Sequence, residues 1–130
     1  MIKEITKAQV GTFGEKYCAK YLKRNRFKIY KMNAKIGHLE TDIIAYNKDF
    51  LLFVEVKTRR TNKVNYGTPA SAVNYKKRTN LLKFAYAFSS YLPNKLKDKN
   101  IRLDVCEIWV TGDKKLKVCD FNYIENAIIG

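Results

Sequence analysis

A mixed α/β domain, with a central sheet flanked by helices, is what this sequence predicts. Three observations lead there. Two stretches repeat apolar residues every three or four positions, as a helix with one buried face does. Several others alternate or run continuously apolar over the length of a strand. And 130 residues of which 46% are apolar can bury a real core while fitting one domain, residues 1–130.

The elements follow in order. Val10, Phe13, Tyr17, Tyr21 and Cys18, Leu22 recur at helical spacing, which predicts an amphipathic helix over 7–24. Gly11 and Gly14 weaken it and allow close backbone approach at its start. Lys20, Lys23, Arg24 and Arg26 make its far end basic. Phe27 to Met32 reads as a strand. Leu39 to Arg60 holds two strand-like runs on either side of Asn47-Lys48-Asp49, a hairpin signal because Asn tolerates positive φ. Asn65-Tyr66-Gly67-Thr68-Pro69 marks a loop. A long helix is predicted over 70–92, with Val73, Lys77, Leu81, Phe84, Ala85, Phe88, Tyr91 and Leu92 on one stripe. Pro93-Asn94 ends it. Arg102 to Val110 alternates as a strand, Lys114 to Asp120 reads as another, and 123–129 as a short helix or ordered tail. The order is α-β-β-β-α-β-β.

Composition narrows the partners. There are 26 Lys plus Arg against 12 Asp plus Glu, a net charge of +14, so a polyanion is the natural partner and nucleic acid the commonest one. The three cysteines, Cys18, Cys106 and Cys119, are odd in number and lack CxxC spacing. That argues against a disulfide framework or a zinc site and fits a reducing, cytoplasmic setting. The N-terminus has no apolar signal region, and the longest apolar run, Phe50 to Val54, is far short of a membrane span. The single histidine, His38, stands beside Gly37 in a predicted loop and excludes mechanisms needing two.

The stretch FVEVKTRR, residues 53–60, places Glu55 and Lys57 in an otherwise apolar strand. Burying charge is costly unless it is paired or holds a metal. Alternation puts Leu52, Val54 and Val56 on one face and Phe53, Glu55 and Lys57 on the other. The preceding strand adds Glu40 and Asp42. With Asn47-Lys48 as a two-residue loop, Tyr46 faces Asp49, Glu40 faces Glu55, and Asp42 is diagonal to Glu55. All four charged groups then share a face; a three-residue loop would break the set. Three close carboxylates resist ionising together. Mg²⁺ (or Mn²⁺) resolves that, and a metal beside a lysine suits phosphodiester hydrolysis. The plainer reading of Glu55 and Lys57 is a salt-bridged pair on a half-exposed strand. Thr58-Arg59-Arg60 and Lys76-Lys77-Arg78 are either a solvated basic face or phosphate contacts. Tyr66 and Tyr75 either stack on exposed bases or pack within the fold.

The run from Asp42 through Glu55-Val56-Lys57 resembles the PD-(D/E)XK nuclease signature of the restriction-endonuclease-like fold, whose αβββαβ core has the order read above. More closely, the chain resembles the YraN family of small bacterial proteins, themselves similar to archaeal Holliday-junction resolvases. The matching segments are GTFGEKYCAKYL, ETDIIA after Asn33, FVEVKTRR, YGTPASAVNYKK and RLDV, and they span almost the whole chain. The resemblance implies Asp42 and Glu55 as metal ligands and Lys57 as the catalytic lysine. It adds Glu15, the helical glutamate of such sites, which otherwise reads as a solvated first-turn residue favoured by the helix dipole. It also implies a homodimer. The chain departs from the family pattern at Leu39, where Gly is usual, and at Thr41, where an aliphatic residue is usual.

Three functions remain open on these residues. One is a nuclease on structured or branched DNA. Another is a non-catalytic nucleic-acid-binding module on the same fold. The third is a basic adaptor for a protein or ribosomal partner.

Overall fold

The computed structural model describes residues 4–61 and 75–127, with side chains described up to 61 and again from 80. Helix α1 (Lys7–Arg24) begins at a reciprocal cap. Thr6 Oγ1 accepts from Gln9 N–H at 3.1 Å, and Gln9 Oε1 accepts from Thr6 N–H at 2.7 Å. Lys23 and Arg24 in its last turn complement the carbonyl end.

Three antiparallel strands follow: β1 (Lys28–Ile36), β2 (Leu39–Tyr46) and β3 (Phe50–Arg60). Helix α2 (Tyr75–Ser89) then carries the chain across so that β4 (Asn100–Thr111) runs parallel to β3, and β5 (Lys117–Ile124) returns antiparallel. The five strands lie in sequence order in one mixed sheet. The element order is the one the sequence predicts.

The two helices cover opposite faces. On one, Val10, Cys18, Ala19 and Leu22 of α1 pack against Ile43, Leu52, Val54, Val56, Cys106 and Ile108. On the other, Leu81, Phe84 and Ala85 of α2 pack against Ile44, Leu51, Phe53, Leu103 and Val105. β3 and β4, central in the sheet, are therefore apolar on both faces.

Several expectations shift. β1 runs on to Ile36, and β4 starts at Asn100. β5 begins at Lys117 and takes in Tyr123 and Ile124, so no helix starts at 123. The β4–β5 turn uses Gly112 at φ 121°, where an added Cβ would run into the Lys115 carbonyl, and Lys114 lies in this turn and not in the strand. α2 ends at Ser89, so Tyr91 leaves the predicted stripe and is 75% exposed. The first residues predicted for that helix (70–74), the 65–69 loop with Tyr66, and the side chains of Tyr75 and Lys77 lie outside the described residues.

The hairpin register also differs. Tyr46 faces Leu51, not Asp49. Asn47 sets this: its side-chain oxygen accepts from the N–H groups of Asp49 (2.9 Å) and Phe50 (2.8 Å), enclosing Lys48 and Asp49 as the turn. The displacement is two residues, so every side chain keeps its face.

Asp104, the buried acid of RLDV, is fully satisfied. It accepts from the Arg102 guanidinium at 3.0 Å, Tyr123 Oη at 2.6 Å and Asn126 N–H at 2.8 Å, which ties the end of β5 back onto β4.

Candidate functional site where β2 parts from β3

The β2–β3 backbone ladder runs from the turn as far as Ile43 and Val54. Beyond that point β3 continues to Arg60 paired with β4 alone, while Leu39 to Thr41 stay paired with β1. Side chains take over where the ladder stops. Asp42 Oδ2 accepts the Val56 N–H at 2.7 Å. The buried Thr41 hydroxyl donates to the Val54 carbonyl at 3.3 Å. Thr41 is one of the departures from the family pattern, and this bond gives it a role: its hydroxyl adds a side-chain link between β2 and β3 just past the end of the ladder.

Ile44 and Phe53 sit on the α2 face, so alternation puts Asp42 and Glu40, and likewise Glu55 and Lys57, on that face as well. Continuing the observed register by one step sets Asp42 across from Glu55 and not diagonal to it. Asp42, Glu55 and Lys57 are all half-buried, and Glu40 is exposed. Glu40 and Glu55 line a small cavity of about 120 Å³ together with His38, Leu39, Asn80 and Leu81. His38 itself lies in the β1–β2 turn, exposed, as the sequence predicts.

Glu15 is placed differently. It lies on α1, the helix of the opposite face, and its Oε1 accepts from Asn33 Nδ2 of β1 at 3.2 Å. Among the described residues, no group of three or more His, Cys, Asp or Glu side chains is arranged to hold a metal ion.

The end of β3 is basic. Arg59 and Arg60 are exposed. The Arg60 guanidinium donates to the carbonyls of Ile5 (3.3 Å) and Gly112 (2.7 Å) and pairs with Asp113 at 3.7 Å, so it clamps the approach to α1 onto the β4–β5 turn. Lys76, Lys77 and Arg78 lie in the first turn of α2, with their side chains outside the described residues.

One acid at this place escaped the sequence reading. Glu107 stands beside Lys57 in the parallel β3–β4 register and follows Leu103 and Val105 on the α2 face. It is buried, and among the described residues neither carboxylate oxygen has a hydrogen-bond partner. Burial pushes its carboxyl up to about 7, against the pull of Arg59 and Lys57. The signal was available: a charge at a core-facing position of an alternating strand, the same anomaly that singles out Glu55 and Lys57.

The model of the uncharacterised protein family UPF0102 matches residues 14–108. The chain is similar to a UPF0102 protein of Caldanaerobacter subterraneus subsp. tengcongensis, 36% identical over 126 residues, 97% of this chain and 99% of the relative. It is also similar to UPF0102 proteins of Dictyoglomus thermophilum (38% over 119 residues, 92% and 96% covered) and Clostridium acetobutylicum (38% over 120 residues, 92% and 93% covered).

Proposed function

The chain belongs to the UPF0102 family, the YraN family whose motifs its sequence carries, and we propose that it is a Mg²⁺- or Mn²⁺-dependent nuclease on a restriction-endonuclease-like core, hydrolysing phosphodiesters in structured or branched DNA. One observation carries this reading. Two acids and a lysine, Asp42, Glu55 and Lys57, share one face where β2 parts from β3, beside a strongly basic strand end in a chain of charge +14.

The donors suit a hard divalent cation. Mg²⁺ commonly takes one or two carboxylates and fills its shell with water and phosphate oxygens. Asp42 and Glu55 would hold it, with Glu40 at the cavity rim. Asp42 would do so while its Oδ2 keeps the Val56 N–H. Glu15 would have to leave Asn33 to join. When bound, such an ion would polarise a phosphoryl oxygen and make water a better nucleophile. Lys57 would steady a phosphate oxygen as charge develops there. Arg59, Arg60 and Lys76 to Arg78 would position the backbone without reading sequence. A homodimer belongs to the same proposal.

A second reading is a nucleic-acid-binding module with no catalysis. It is favoured by the missing three-ligand cluster among the described residues and by the structural duty of Asp42. Wild type, Glu55→Gln and Lys57→Ala, tested with Mg²⁺ and Mn²⁺ on duplex, single-stranded, flap and four-way DNA, separate the two. The nuclease reading expects wild type alone to cut. Equal cutting by all three would show that the site is misassigned. Binding without cutting by wild type would leave the module.

A further inference from the structure

Beyond Val54, no strand among the described residues lies on the β2 side of β3. The Val56 N–H points to that side, where Asp42 takes it. Strand alternation sends the backbone N–H and C=O of Thr58 and Arg60 the same way, onto an edge that no described strand pairs. This edge floors a groove of about 730 Å³ between the first turns of α1 (Lys7, Gly11) and the end of β3 (Lys57 to Thr61), with Trp109 beside it. Lys7, Lys57, Arg59 and Arg60 line it, and no described lining residue is acidic.

The two early glycines of α1 differ at this groove. A Cβ on Gly14 would collide with Thr58 Oγ1, so there the helix touches β3 directly. A Cβ on Gly11 would meet nothing within 4 Å. Gly11 therefore leaves a wall of bare helix facing open space.

We propose that this groove takes one strand of nucleic acid, its phosphodiester backbone lying along the open edge of β3 between Lys7 and Arg59. Backbone N–H groups and clustered cations together recognise phosphate oxygens. The backbone edge that floors the groove offers donors along one line, which suits one strand. Such a strand edge also attracts peptide strands, but Lys7, Lys57 and Arg59 select a polyanion, Arg60 being held by the Ile5 and Gly112 carbonyls. Lys57 lines this groove, and Glu55, two residues before it on the same face, lines the smaller cavity. A strand in the groove thus leads to the candidate metal site; that placement rests on the nuclease reading, while binding does not.

The test is fluorescence anisotropy with a labelled oligothymidylate and a hairpin duplex, in EDTA so that nothing is cut. The full chain is compared with a graded series at Gly11 (Ala, Leu, Phe), with Lys7→Gln and with Arg59→Ala. The series adds bulk where there is space and replaces a poor helix former, so folding should survive; circular dichroism checks it. Affinity for the single strand should fall progressively along the series, by at least about tenfold at Phe, because the added ring blocks more than one phosphate contact. Lys7→Gln should lower the salt slope by about one. The proposal is overturned if folded Gly11→Phe binds as wild type does, if the duplex binds more tightly than the single strand, or if an acidic peptide competes and oligothymidylate does not. A parallel Mg²⁺ cleavage assay keeps the two readings apart. Groove-dependent binding without cleavage removes the nuclease and keeps the groove. Cleavage with unchanged binding across the series removes the groove and keeps the nuclease.

Discussion

The carboxylate of Asp42 accepts the backbone N–H of Val56 at 2.7 Å, at the point where the β2–β3 ladder stops. One residue thus closes the hairpin and stands in the candidate site. The two roles separate by substitution. Asp42→Asn keeps an acceptor and should cost less than about 1 kcal/mol, whereas Asp42→Ala strands a buried N–H and should cost about 1–3 kcal/mol. Urea denaturation reads the difference. If the metal proposal holds, both variants lose cleavage despite their different stabilities.

Glu55 and Lys57 should behave in the opposite way, as functional groups with little structural weight. A half-exposed ion pair contributes at most about 1 kcal/mol. Removing one electrostatic group of a phosphoryl-transfer site typically slows it by about a hundred- to a thousandfold. Single-turnover rates on the preferred DNA, beside thermal melts of the same preparations, should show a large loss of rate with a small loss of stability.

Glu107 predicts a pH dependence. Its carboxyl is raised from the usual 4.5 to about 7 by burial. The folded chain therefore holds this proton more tightly than the unfolded chain does. The stabilisation is complete below about 4.5 and is lost as pH rises through about 7. Glu107→Gln has no proton to lose. Wild type should weaken relative to the variant across that window, by at most about 3 kcal/mol in total. Calorimetry of both proteins at either end of the window reads this, and a gap between them that stays constant with pH would show that Glu107 is solvated.

Gly14 predicts a packing effect. Its added Cβ would collide with Thr58 Oγ1 and come within 2.8 Å of Thr58 Cβ. Gly14→Ala should cost about 1–3 kcal/mol through overpacking. Thr58→Ala removes the nearest atom, so the double variant should lose less than the two singles combined. Strict additivity in a denaturation cycle would mean that the helix simply lifts away.

Much of this molecule is decided locally, and that part was legible in the sequence. The span of α1, Lys7 to Arg24, follows from its apolar spacing. Strand alternation, with a period of two, put Asp42, Glu55 and Lys57 on one face. That survived a hairpin register displaced by two residues, because an even displacement changes neighbours and not faces. What only the tertiary structure decided is non-local. Asn47 sets the register through its side chain, and strand pattern is blind to that. The parting of β2 from β3, and the groove it opens, depends on β3 holding β4 along its whole length while β2 turns to β1. Glu107 reaches Lys57 only because α2 carries the chain across to lay β4 parallel to β3, bringing residues 50 apart in sequence into register. Periodicity fixes the face on which a side chain points. The neighbour it meets there depends on which strands pair, and long-range packing chooses that.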